Sequence, residues 1–219
     1  MSTDRMVGLS WAERIGVPES FALAGLEMDP ARLPGGTGWG ELAGELRGYL
    51  DALVGVDPPA DLVSEMAEQL RSWRERLAAA RVPERDQPWG HRVDLPARGQ
   101  ALAPHVEMLD RGDDWLEATV VFGRFHLGGH DAVHGGAVAL LFDEVLGRFS
   151  DTHGRPAART VSLDVAFRAV TPPERELRLR VWFEREHGRK RQLHGELRDG
   201  DVVCAEARAL FIVLRPDQG

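Results

Sequence analysis

The hydrophobic period changes partway along the chain, and that change limits what it can fold into. Between residues 41 and 83 the apolar residues recur every three or four positions; beyond residue 104 they alternate. The segment between holds four prolines and two glycines (Pro83, Pro88, Gly90, Pro96, Gly99 and Pro104) and reads as a boundary. Ahead of it, Leu42, Leu46, Leu50 and Leu53 mark one helix, and Leu62, Met66, Leu70, Trp73 and Leu77 mark a second. Asp57-Pro58-Pro59 breaks the chain between them and offers an N-cap followed by proline at the first helical position. Two amphipathic helices joined by a short turn form a hairpin that needs a partner surface. Residues 1–30 show no sustained period, and Leu33–Gly40 is a loop by composition.

Beyond the boundary, Leu116, Ala118, Val120 and Phe122 share one face of a strand. So do Val161, Leu163, Val165 and Phe167, then Leu177, Leu179, Val181 and Phe183. Leu193, Gly195 and Leu197 follow, and a long strand runs from Val203 to Val213. One segment interrupts this series: His134–Phe149 is apolar almost all round and has the length of a helix buried on most sides. The expected fold class is α+β. A curved antiparallel sheet wraps a single buried helix, in the order strand, helix, four strands, over residues 93–219, and a helical region fills residues 1–92.

Composition narrows the function. The 219 residues carry 35 Asp and Glu against 27 Lys and Arg, a formal charge of −8, so a general nucleic-acid binder is not expected. One cysteine among them excludes an internal disulfide and a cysteine-based zinc cluster. No apolar run approaches the ~20 residues of a membrane span, and the first residues lack a secretory pattern, so a cytoplasmic setting is the expectation.

The buried helix has two features that a purely structural element does not need. It opens on His134-Gly135-Gly136, and it carries Asp143 and Glu144 among apolar neighbours. Burying an ionised carboxylate costs several kcal/mol unless it is paired or hydrogen-bonded. Asp143 follows Gly136 by seven residues, two helical turns, so the two share a face. A helix start presents free N–H groups, and glycine lets a ligand oxygen approach them. A carbonyl polarised at Gly135 or Gly136, with a carboxylate from this helix or from its copy in a second subunit, is the logic of acyl transfer. Glu144, one step off that face, is read as facing solvent or an interface. Cys204 is read as a passive small residue.

At this point the sequence resembles the hotdog-fold thioesterases, in particular the PaaI-like (4HBT) branch. The signature is His134-Gly135-Gly136, six residues, then Asp143; the likeness continues through Thr160–Arg168, the Thr171-Pro172-Pro173 turn, Gly188-Arg189-Lys190 and Ala205–Phe211. It implies a homodimer or a dimer of dimers, hydrolysis of an acyl thioester of coenzyme A or acyl carrier protein, and no metal or cofactor beyond the coenzyme A of the substrate. It places the catalytic carboxylate, a general base for water or a nucleophile on the thioester, at Asp143, the oxyanion amides at Gly135 and Gly136, a water-orienting hydroxyl at Thr160 and the motif histidine, which shapes the loop, at His134. The site would pair Asp143 with the glycine turn of the other chain. Arg168, Arg189, Lys190 and Arg191 are candidates for the coenzyme A phosphates, against a reading as solvated turn and edge charges. Gly128 stands where many relatives have an asparagine, six residues before His134. That departure leaves a second reading, a catalytically weak acyl-CoA-binding or regulatory module on the same fold. A hotdog hydratase is disfavoured, because the acid sits seven residues beyond the second glycine.

Overall fold

The computed structural model describes residues 33–215, so the readings made for residues 1–32 lie outside the described residues. Two helices come first, α1 (Trp39–Leu53) and α2 (Ala60–Ala78). Strands β1 (His105–Arg111) and β2 (Trp115–Val121) follow, then a two-stranded ribbon of β3 (Leu127–Gly129) and β4 (Ala132–Val133). Helix α3 (Gly135–Ser150) leads into β5 (Ala158–Phe167), β6 (Glu176–His187), β7 (Lys190–Asp199) and β8 (Val202–Val213).

Six strands form one antiparallel sheet in the order β1-β2-β6-β7-β8-β5, and α3 packs on its inner face. The alternation explains which side faces in. Leu116, Ala118, Val120, Leu177, Leu179 and Val181 are all buried, and they meet Leu141, Phe142, Val145 and Leu146 of the helix in one core. The hotdog arrangement expected from the sequence is therefore present.

Some details differ from expectation. Strand β1 has no counterpart in the sequence reading. It lies at a sheet edge, and only Val106 and Met108 pack on the core, too few apolar positions to announce a period. Asp57 does not cap α2: Pro59 occupies the cap position and no side chain supplies a hydrogen bond there. Only the first helix of the expected hairpin finds a surface among the described residues. No residue of α2 is buried, and Leu70, Trp73 and Leu77 stand 51%, 55% and 65% exposed.

Helix α1, by contrast, is tied to the sheet-bearing part of the chain. Trp39 Nε1 donates to the Gly99 carbonyl at 2.7 Å, and Arg47 donates to the carbonyls of Pro96 and Gln100. Arg92, 1% exposed, donates to the carbonyls of Pro34 and Gly36 and pairs with Asp94 at 2.7 Å. The junction at residues 92 and 93 thus falls inside a set of contacts, not in a free linker.

Candidate active site

The start of α3 is set by a short motif. His134 is its N-cap, and the ring Nδ1 accepts from the Gly136 amide at 2.9 Å. The His134 carbonyl accepts from Ala137 and Val138. These bonds occupy the Gly136 N–H and leave the Gly135 N–H without a hydrogen-bond partner among the described residues. Gly135 is glycine for a steric reason: a Cβ there would lie 3.0 Å from Cζ of Phe167, whose ring covers the turn from the end of β5.

Gly128 has a similar cause. A Cβ at that position would sit 2.7 Å from the His134 Cα, so the asparagine of the resemblance could not be fitted without displacing the turn. His130 and Asp131, at the tip of the β3–β4 ribbon, are exposed and adopt left-handed φ of 52° and 54°.

Asp143 lies two turns into α3, exposed on a helix otherwise largely buried. The Thr160 hydroxyl donates to its Oδ1 at 3.0 Å. Strict alternation along β5 would turn Thr160 away from the helix, because Leu163 and Val165 face inward. A bulge at Val161 reverses this: Thr160 pairs with Phe211 and Ser162 with Leu210, leaving Val161 as the extra residue. The bulge points Thr160 at Asp143 and leaves Val161 56% exposed.

The next helix position serves the opposite flank. Glu144 pairs with Arg98 at 2.7 Å and with Arg148 at 3.6 Å, next to a cleft of about 510 Å³ lined also by His105, Met108 and Val145. Arg98 makes this contact from a left-handed backbone, φ 57°, directly after Ala97 at φ 47°. Nothing in the sequence signalled that Arg98 partners Glu144.

The basic candidates separate. Arg168 is 58% exposed and paired with Glu206 at 2.8 Å. Arg189 donates through Nε and Nη2 to the Val213 carbonyl, and Lys190 is exposed on the β6–β7 hairpin beside a groove it shares with Arg185 and His187. Arg191 requires a correction. It alternates inward, is 1% exposed, and donates to the carbonyls of Ser150 and Pro156 while pairing with Asp151 and Glu186. Its guanidinium ties the end of α3 to the sheet and is not offered to a phosphate. Cys204 is buried, and burial pushes its thiol up, which keeps it from acting as a nucleophile. Among the described residues no group of three or more His, Cys, Asp or Glu is placed to hold a metal ion, and no helix is long and apolar enough to cross a membrane.

Residues 130–205, from the β3–β4 turn into β8, match the sequence model of the thioesterase superfamily. This region has the hotdog fold and is similar to the thioesterase superfamily. The domain is similar to a crystallised protein described as a thioesterase superfamily protein, with 27% identity over 88% of this chain and 99% of that one, at a TM-score of 0.69. That coverage exceeds what residues 93–219 alone could supply, so the likeness takes in part of the leader. A phenylacetic acid degradation-related protein from Ralstonia eutropha JMP134 matches at 22% identity over 50% of this chain and 84% of its own, with a TM-score of 0.45. The E. coli PaaI protein matches at 16% identity over 49% and 82%, with a TM-score of 0.46. No curated protein matches the chain.

Proposed function

We propose that the protein hydrolyses an acyl thioester of coenzyme A or of acyl carrier protein, at a site drawn from two copies of the chain. The observation that carries this reading is the Asp143 carboxylate, exposed on the apolar helix and oriented by the Thr160 hydroxyl. Water beside Asp143 Oδ attacks the thioester carbon and gives its proton to the carboxylate. The Gly135 N–H holds the developing oxyanion. The C–S bond then breaks, and the thiolate takes up the proton from Asp143.

The need for two copies follows from distance. Gly135 and Asp143 are eight residues apart on one helix, about 12 Å along its axis, whereas both must reach a single thioester carbon within about 3–3.5 Å. The chain has a surface suited to the second copy: β5 is a sheet edge, and it and the loop after it carry Val161, Phe167 and Val170 at 56%, 56% and 66% exposure next to the Asp143 face. Arg168, Arg189 and Lys190 remain as basic groups for the phosphates of the carrier.

The test is a panel of aliphatic and aromatic acyl-CoAs incubated with full-length protein and a thiol reagent. Thiol release with at least one member is expected. The absence of an amide side chain at Gly128 favours a second reading, a module that binds acyl-CoA without turnover, and binding with no thiol release across the panel would establish that instead. Gly135→Ala offers a check on the oxyanion role. The added methyl presses on the Phe167 ring and crowds the space beside the N–H, so kcat should fall, at most by the about 10²–10³-fold of losing one oxyanion donor. A Gly135→Ala enzyme with full turnover would move the oxyanion donor elsewhere.

A further inference from the structure

We propose that Asp51, on the leader helix α1, is a positioning residue for the glycine turn that starts α3. The proposal rests on the thioesterase reading for its catalytic consequence, but the contact it describes is independent of that reading.

The connection is continuous. Asp51 Oδ1 accepts the Phe125 amide at 2.9 Å, across 74 residues of sequence. Phe125 lies in the short 3-10 turn Arg124–His126, and its ring lies tilted against His126 with centroids 3.9 Å apart. His126 is buried, with Phe122 edge-on to its ring at 5.6 Å. The His126 carbonyl accepts the His134 amide at 2.7 Å. His134 in turn caps Gly136 through Nδ1, the bond that leaves the Gly135 N–H available. Four successive contacts thus lead from a leader carboxylate to the Gly136 amide, next along the chain from the Gly135 amide assigned to the oxyanion.

A second observation shows that the fold reserves space for this carboxylate. A Cβ on Gly123 would lie 2.5 Å from Asp51 Oδ1 and 2.6 Å from Oδ2. Gly123 has φ −70° and ψ 171°, a conformation any residue adopts, so its glycine is explained by the carboxylate and not by the backbone. For the Phe125 amide itself, α1 supplies the acceptor at the entry of a tight turn, beside the His126 N–H that donates to the Gly123 carbonyl.

The test uses the full-length chain with Asp51→Ala, Asp51→Asn, Gly123→Ala and the Asp51→Ala/Gly123→Ala pair. Steady-state hydrolysis is read alongside Tm and alongside amide hydrogen exchange of peptides spanning residues 123–138. Asp51→Ala is expected to speed exchange in that segment about tenfold and to lower kcat about tenfold, with KM changed less than threefold. Asp51→Asn keeps an Oδ1 acceptor, so both values return to within threefold of wild type. Gly123→Ala pushes the carboxylate away and reproduces the loss. In the Asp51→Ala background the same methyl costs nothing further, because the oxygens it would meet are gone. Full kcat in Asp51→Ala, a rate loss that Asp51→Asn does not repair, or exchange that rises evenly across the whole chain would each overturn the proposal. A wild-type protein inactive on every acyl-CoA, with the local exchange pattern still as stated, would instead remove the thioesterase reading and leave the Asp51 contact standing.

Discussion

Asp143→Asn should reduce hydrolysis at least 10³-fold while leaving acyl-CoA binding within a few-fold of wild type. The carboxylate is the only acidic side chain on the exposed face of α3, because Glu144 turns to the other flank and is held there by Arg98 and Arg148. The amide keeps the size of the side chain and can still accept from Thr160, so the fold and the surface around position 143 persist. What it removes is the base: an amide cannot take the proton of the attacking water. Turnover and equilibrium binding of a slowly hydrolysed acyl-CoA, measured on the same preparation, separate the two effects. An Asp143→Asn protein that retains a tenth or more of wild-type kcat would refute the assignment.

The second large effect concerns stability. Arg191→Met should destabilise the fold by up to about 3–5 kcal/mol, since it takes the buried guanidinium away from two carbonyls and two half-buried carboxylates that it holds together. Those partners are the Ser150 and Pro156 carbonyls and the Asp151 carboxylate, at or just beyond the end of α3, and the Glu186 carboxylate of β6. For a chain of this size the drop in Tm should be roughly 6–20 °C. The deficit should also depend on pH. Burial already pushes the Asp151 carboxyl up, against the Ser150 hydroxyl, the Ala158 amide and Arg191, which pull it down. Losing Arg191 removes one downward pull, so the folded-state value rises further. A carboxyl raised by folding weakens the fold above that value and ceases to do so once protonated, so the gap between variant and wild type should narrow as the pH falls from 7 to 5. Denaturant melts at the two pH values read this directly, and a gap that widens on acidification would contradict it.

The residues show where sequence reasoning reached and where it stopped. Helix α3 was legible because its apolar surface runs nearly all round, and β2, β6 and β8 because their inward residues keep period 2 with few interruptions. The His134 turn could be located from its glycines. Thr160 was legible only through the resemblance: its own strand pattern pointed it outward, and the bulge that turns it inward leaves no mark in the alternation of Val161, Leu163 and Val165. Arg191 was misplaced for a related reason. In a run of three basic residues on a hairpin, one must face inward, and its identity depends on the register with Phe211, which no local pattern encodes. The Arg98 partner of Glu144 and the Asp51 partner of the Phe125 amide come from 46 and 74 residues away, through a loop and a leader whose docking is tertiary.

The docking of α1 has a consequence for how the chain can be divided. Cutting at residue 92 would strand the carbonyls of Pro96, Gly99 and Gln100 and the amide of Phe125, each now answered by a side chain of the first helix. The helix therefore serves as a wall of the domain and not as a detachable prefix. A shortened protein would not be the same domain minus an ornament, but one whose foundations beneath the His134 turn had been altered.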